Sequence, residues 1–283
     1  MKRMNTLLLL ILAVAVGVFG CYYLWVHNQL DTVGPEIIIE EGILELSVED
    51  PEEALLQGIR AQDDRDGDVT GSILVESIIG INEENVTNVT YAAFDGAGNV
   101  TKAERQVRYT DYTPPRFEVY ASLTFPAGGS DDLLENIGAV DALEGDIRRR
   151  VRATLISDIK GITYEGKHRV ELQVTNSLGD TVKTVVPVLV YSPEWYTADV
   201  ELTDYLIYLK QGASFSPNKY LKSFVFRGEP IEIRGGVPAD ITVEIDNGVR
   251  TNAPGVYEVS YVLSKTQNDV THSGIAKLIV IVE

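Results

Sequence analysis

Aspartates crowd one short stretch of this chain. Asp63, Asp64, Asp66 and Asp68 lie in Ala61-Gln62-Asp63-Asp64-Arg65-Asp66-Gly67-Asp68-Val69-Thr70, and Asp95 lies in a second glycine turn, Tyr91-Ala92-Ala93-Phe94-Asp95-Gly96-Ala97-Gly98-Asn99. Calcium takes about six to eight hard oxygens, which clustered carboxylates and turn carbonyls can supply. The five carboxylates Asp63, Asp64, Asp66, Asp68 and Asp95 are therefore the expected calcium set. The spacing is not that of a helix–loop–helix calcium site, because no Glu closes the loop. The competing reading is that short Asp side chains accept amide bonds from their own turn. Repetition favours that reading for one position. Asp68, Asp146 and Asp240 are each followed by Val or Ile, while the extra carboxylates thin to Asp141 and Glu144 and then disappear.

Two other groups could recognise a partner. Arg148, Arg149, Arg150 and Arg152 form a basic cluster. On a strand, Arg148, Arg150 and Arg152 would share one face and could grip an anionic wall polymer or acidic partner; pairing with nearby surplus carboxylates is the plainer alternative. Trp195 and Tyr196, with Tyr205, Tyr208 and Tyr220 beyond them, could form a stacking platform for sugar rings. The alternation around Tyr205 and Tyr208 instead favours burial. The triplets beginning at Asn85, Asn88 and Asn99 have the form of glycosylation sequons but suit ordinary turns and strands. His27, His168 and His272 are scattered, and no zinc spacing, nucleophile elbow or phosphate loop accompanies them. No enzyme activity is expected.

The elements that must carry these groups begin with an apolar segment. No residue from Met4 to Val26 is charged, and as a helix the segment would be about 30–35 Å long, enough to cross a bilayer's hydrocarbon core. Lys2 and Arg3 precede it, Asp31, Glu36, Glu40 and Glu41 follow it, and Tyr22, Tyr23 and Trp25 stand where an aromatic belt would lie. This pattern predicts a signal anchor over residues 1–30 with the N-terminus cytoplasmic and the bulk of the chain outside the cell. The rival readings are a lipoprotein start at Cys21, where Phe19 fits poorly, and a cleaved leader, for which no convincing small-residue site is present. Cys21 is the only cysteine, so core packing rather than disulfides must hold the outer part. The 283 residues carry a formal charge of −18 with 45% hydrophobic content. That supports real cores and argues against nucleic acid, whose phosphates are met by clustered Lys and Arg.

Beyond residue 30, period-2 alternation dominates. Val170, Leu172 and Val174 alternate with polar neighbours, as do Tyr257, Val259, Tyr261 and Leu263, and then Leu278, Val280 and Val282. Prolines at 35, 115 and 193 mark module starts. The prediction is all-β: three tandem antiparallel sandwiches over 31–111, 112–192 and 193–283, preceded by one transmembrane helix. Within each module a short apolar bend recurs, at Glu53–Ile59, Asp132–Ile137 and Lys219–Phe224, and is expected to plug a sandwich end.

The Asp64-to-Thr70 turn, the Tyr91-to-Asn99 turn and the Pro254-Gly255-Val256-Tyr257-Glu258-Val259-Ser260-Tyr261 strand resemble the bacterial Ig-like domain family first named from pesticidal crystal proteins. The first module matches closely. The second carries Glu144 for an Asp and Asp180 for an Asn, and the third keeps only Asp240-Ile241-Thr242 and the Pro254-to-Tyr261 strand. The resemblance implies Ig-like sandwiches in a bacterial surface protein and no particular activity. The expected role is non-catalytic extracellular binding or adhesion to a wall polymer, glycan or surface protein. The alternatives are a spacer or assembly partner of an envelope machine, and a calcium-stiffened stalk.

Overall fold

The computed structural model describes residues 2–29, 31–128, 133–156 and 164–283; Asp132 of the second apolar bend lies outside them. Helix α1 spans Lys2–Gln29, and the described residues after it form strands, turns, irregular segments and short 3-10 segments. Among the described residues no helix is long and apolar enough to cross a membrane. The chain divides into two compact units, Met1–Thr110 and Asp111–Glu283, so the boundary expected at Pro193 falls inside the second unit.

The first unit holds β1 (Glu36–Ile39), β2 (Leu44–Leu46), β3 (Ile59–Asp63), β4 (Gly67–Asp68), β5 (Leu74–Ile79), β6 (Val86–Phe94) and β7 (Val100–Tyr109). They form a three-stranded sheet, β1-β3-β4, and a four-stranded sheet, β2-β7-β6-β5. The second unit repeats this plan twice. Its first sandwich uses β8 (Arg116–Val119), β9 (Thr124–Pro126), β10 (Ile137–Asp141), β11 (Gly145–Asp146), β12 (Arg152–Leu155), β13 (Gly166–Thr175) and β14 (Thr181–Tyr191). Its other sandwich uses β15 (Asp199–Leu202), β16 (Leu206–Leu209), β17 (Leu221–Phe226), β18 (Glu229–Glu232), β19 (Ile241–Asn247), β20 (Gly255–Gln267) and β21 (Val270–Val282). The sheets are β8-β10-β11 with β9-β14-β13-β12, and β15-β17-β18 with β16-β21-β20-β19. Seven strands in sheets of three and four is the strand count of a constant-type Ig sandwich.

The sandwiches are not antiparallel throughout. In each, the opening extended segment crosses from the small sheet to the large one and lies parallel to the last strand. Leu44 pairs with Val107, Thr124 with Leu189 and Leu206 with Ile279. Alternation places one face of each long strand inside, as in β13, where Val170, Leu172 and Val174 are buried.

Strand β21 departs from that rule. Ala276, Leu278, Val280 and Val282 line the core of the third sandwich, while Ile279 on the opposite face joins the core cluster of the second. Tyr205, Leu206 and Ile281 pack there as well. Being covered on both faces, the strand reads as a continuous apolar run. Lys277, only 2% exposed, donates to Glu258 Oε2 at 2.8 Å, and Lys167 of the second sandwich lies 3.5 Å from Glu258 Oε1. Burial alone would raise the Glu258 pKa, but Lys277 and Lys167 hold the carboxyl below its ordinary range.

The apolar bends are single 3-10 turns, Glu52–Leu56, Leu133–Asn136 and Pro217–Lys219. The third sits earlier than expected from Lys219–Phe224, because Leu221 already begins β17. Two of the bends are held by buried tyrosines. Tyr91 donates to the Leu55 carbonyl and Tyr261 to the Pro217 carbonyl, each at 2.8 Å. Burial pushes both phenols above their ordinary pKa, so they remain donors. The register of motifs places Leu172 at the corresponding position of the second sandwich. Tyr91→Phe should cost about 1–3 kcal/mol, since the Leu55 carbonyl loses a buried donor, and Tyr261→Phe about 0.5–1.5 kcal/mol, since the half-buried Pro217 carbonyl keeps the Tyr220 amide at 3.1 Å. Urea denaturation of the variants checks this; a change within about 0.5 kcal/mol would mean the hydroxyls do not pin the bends.

Candidate functional site

The acidic turn closes the hairpin of β3 and β4. Gly67, at φ 76°, takes the left-handed conformation that the turn requires, as Gly145 does at φ 70° in the second sandwich. Asp63 Oδ1 accepts the amides of Arg65 and Asp66, both at 2.9 Å. Asp141 Oδ1 does the same for Leu143 at 2.9 Å and Glu144 at 3.0 Å. Asp68 and Asp146 each accept the amide two residues on, from Thr70 at 3.0 Å and Arg148 at 2.9 Å. The Thr70 side chain and amide hold Asp68 below its ordinary pKa, and the Arg148 amide and side chain do the same for Asp146. Asp95 belongs to the β6–β7 turn, where Oδ1 accepts the Asn99 amide and Oδ2 the Asn99 side chain, each at 2.7 Å.

The five expected ligands therefore separate. Asp63 and Asp66 converge, and the third member of their group is Asp31 from the segment before β1. One carboxylate oxygen from each lies within 4.8 Å of the others. Asp64 is exposed, while Asp68 and Asp95 make the turn bonds just described. In the sequence Asp31 stands out only as an acid following the apolar segment; its recurrence as Asp111, each with a proline four residues on, is the signal that sets it apart.

Asp240 also differs from its sequence assignment. The Ala61 carbonyl accepts the Val69 amide at 3.0 Å, the Ala139 carbonyl accepts the Ile147 amide at 2.9 Å, and the Lys222 carbonyl accepts the Ile233 amide at 3.0 Å. The third counterpart of Asp68 and Asp146 is thus Glu232, immediately before Ile233. Asp240 instead pairs with Lys265 at 2.7 Å.

In the second sandwich the same frame is neutralised. Asn176 stands where the first sandwich has Asp95, and its Nδ2 lies 2.9 Å from both Asp141 Oδ2 and the Tyr112 hydroxyl. That hydroxyl donates to Asp180 Oδ2 at 2.8 Å, and burial and then Asp180 raise its pKa, so it stays protonated. Glu144 accepts the Ser177 amide at 2.6 Å and both Arg150 terminal nitrogens, at 3.0 and 2.5 Å. Arg148 binds Asp146 at 2.8 Å and lies 5.2 Å from the Tyr120 ring centroid. The arginines consequently do not share a strand face. Arg148–Arg150 form a 3-10 turn, and only Arg152 lies on β12. Two of them turn back onto the acidic hairpin because surplus carboxylates stand beside them.

The aromatic candidates also separate. Trp195 is 75% exposed, whereas Tyr196 packs edge-on against Tyr191, with centroids 5.2 Å apart. Tyr220 stacks on Phe215. Tyr205 and Tyr208 are half-buried and line, with Arg116, Glu118, Tyr120 and Asp204, a cleft of about 790 Å³ in the second unit. The Tyr208 hydroxyl accepts the Phe117 amide at 2.8 Å, capping the edge of β8, and Arg116 lies over its ring at 4.8 Å. Arg116 also pairs with Glu283. Tyr120, 44% exposed, lies across Gly138, where a Cβ would meet its hydroxyl at 2.0 Å.

No family profile and no curated protein matches the chain. Similar solved structures include CBM51-2 with GlcNAc and INT domains from Clostridium perfringens ZmpB, at 15% identity over 53% of this chain and 26% of that one, with a TM-score of 0.22. Others are the protocadherin GammaB4 extracellular domain, at 10% identity over 88% and 49% with a TM-score of 0.20, and Drosophila N-cadherin EC1-4, at 14% identity over 79% and 63% with a TM-score of 0.21. This chain spans less than two thirds of each. Likeness at this level carries no conclusion about ligands.

Asn176→Asp would give the second sandwich the acid of the first. Asp141 Oδ2 would lose its donor and face a like charge, so the second unit should lose about 1–3 kcal/mol at neutral pH. The check is the urea midpoint; an unchanged midpoint would mean that Asn176 does not satisfy Asp141.

Proposed function

We propose that the chain is a single-pass bacterial surface protein whose second unit binds a glycan or wall polymer without catalysis. The observation carrying this reading is the cleft between the two sandwiches of that unit. Binding sites for small ligands commonly occupy about 300–1,000 Å³ and join aromatic walls to a few placed polar groups. Here Tyr120 and Tyr208 supply rings, and Arg116, Glu118, Thr203 and Asp204 supply charges and hydroxyl partners. The buried Ile279 contact fixes the two walls against each other, so less ordering is needed when a ligand enters. Membership of the pesticidal-crystal Ig-like family is part of the same proposal and rests on the turn and strand motifs.

Anchoring through α1 completes the reading. It is supported by the uncharged stretch Met4–Val26 and by the exposed side chains of Leu8, Leu10, Ile11, Leu12, Val14, Val16, Val18 and Phe19, an apolar surface suited to lipid rather than water. A spacer role in an envelope machine is the alternative if no polymer is retained.

Two measurements test the proposal. Full-length protein should remain in the membrane fraction after an alkaline wash, and a chain lacking residues 1–30 should not. Purified wall polysaccharide should retain the protein, and Tyr120→Ala or Asp204→Ala should weaken retention about tenfold, equivalent to about 1.4 kcal/mol. Undiminished retention by both variants would rule out the cleft as the site.

A further inference from the structure

We propose that the first sandwich binds one calcium ion between Asp31, Asp63 and Asp66, and that the ion ties the segment preceding β1 to the β3–β4 turn. This site is separate from the cleft and does not rest on the glycan reading. Calcium holds oxygens at about 2.3–2.6 Å, so ligands on opposite sides of one ion stand roughly 5 Å apart. The three carboxylate oxygens, all within 4.8 Å of one another, meet that limit.

Asp63 supplies the independent evidence for a ligand. It is 4% exposed. Its Oδ1 is occupied by two turn amides, whereas its buried Oδ2 has no hydrogen-bond partner. A buried carboxylate oxygen left unpaired is costly, and native folds satisfy such groups.

The second sandwich shows how the same oxygen is satisfied by protein alone. Asp141 Oδ2 receives Asn176 Nδ2 at 2.9 Å, the Tyr112 hydroxyl bridges Asn176 to Asp180, and Arg150 covers Glu144. The first sandwich has Asp95, Thr32, Asn99 and Ser72 at the positions of Asn176, Tyr112, Asp180 and Arg150. The amide donor has become an acid, and neither the bridging phenol nor the arginine has an equivalent. Arg65, with Nε 3.8 Å from Asp31 Oδ2 and its side chain 44% exposed, brings one positive charge against three carboxylates. A divalent cation supplies the missing charge with the chemistry these oxygens prefer.

The segment that would be tied already lies along the sandwich. The Val33 carbonyl accepts the Asn99 side chain at 3.2 Å, and a Cβ on Gly34 would meet Thr101 Oγ1 at 2.7 Å. Asp31 is the one ligand contributed from before β1, so binding couples that segment to the turn.

The test uses full-length protein in detergent, stripped with chelator and titrated with calcium chloride. Calorimetry should give one ion per chain, with a dissociation constant of about 10⁻⁴–10⁻³ M, as in extracellular calcium modules. The melting midpoint should rise with calcium, and amides 31–34 should gain protection from hydrogen exchange. Asp63→Asn should abolish the response, and Asp31→Asn should weaken binding at least tenfold and remove the protection. Asp141→Asn should leave the stoichiometry unchanged. If Asp63→Asn fails to fold, Asp31→Asn, which keeps an oxygen for the Val33 amide and removes one carboxylate charge beside Arg65, decides the matter. No heat and no midpoint change with calcium, a response to magnesium alone, or a calcium response that survives Asp31→Asn would each overturn the proposal.

Discussion

A buried carboxylate at the end of each of the first two small hairpins governs the chemistry around it. Asp63 and Asp141 each use one oxygen to gather two turn amides. That bonding shapes the hairpin and brings the next acidic residue, Asp66 or Glu144, toward the β6–β7 or β13–β14 turn. It also leaves a second oxygen inside the protein that needs a partner. Because burying an unpaired charge is expensive, whatever meets that oxygen is under strong physical constraint.

The two sandwiches meet the constraint differently within one frame. The second uses Asn176, Tyr112 and Arg150, so its acidic end closes as a network of protein donors. The first presents Asp95, Asn99 and the incoming Asp31, and concentrates negative charge instead. A few side-chain exchanges thus separate a turn closed by protein donors from one that gathers acids, while the turn amides bound by Asp63 and Asp141 stay the same. The third sandwich has neither arrangement. Arg227 and Gly228 turn its hairpin, and Glu232 stands where the others have Asp.

The union of the second and third sandwiches depends on a separate device. Strand β21 places Ile279 in one core and Leu278 and Val280 in another, with Lys277 and Glu258 pairing where the same surface becomes charged. This junction lies inside the compact unit 111–283, whose cleft is walled by β8 and the 203–208 segment. Its marker in the sequence was the unbroken apolar run Leu278–Val282. Read as alternation alone, that run accounts for Leu278, Val280 and Val282 and leaves Ile279 and Ile281 unexplained.

Local physics made much of the chain legible from sequence. Period-2 alternation, glycine turns and prolines suffice for an all-β chain, because strand side chains alternate and special backbone angles select special residues. The turn-holding task of Asp68 was readable because it is satisfied within two residues. Asp31 meeting Asp63, Asn176 meeting Asp141 and Ile279 entering a neighbouring core were not readable in this way. Each joins residues far apart along the chain, and their meeting is set by strand register and sheet packing, which no local pattern encodes. The sequence by itself determined which residues could turn the chain, line a face or carry charge. Only the tertiary structure decided which carboxylate would be left facing two others, because that depends on which donors the fold brings within hydrogen-bonding distance.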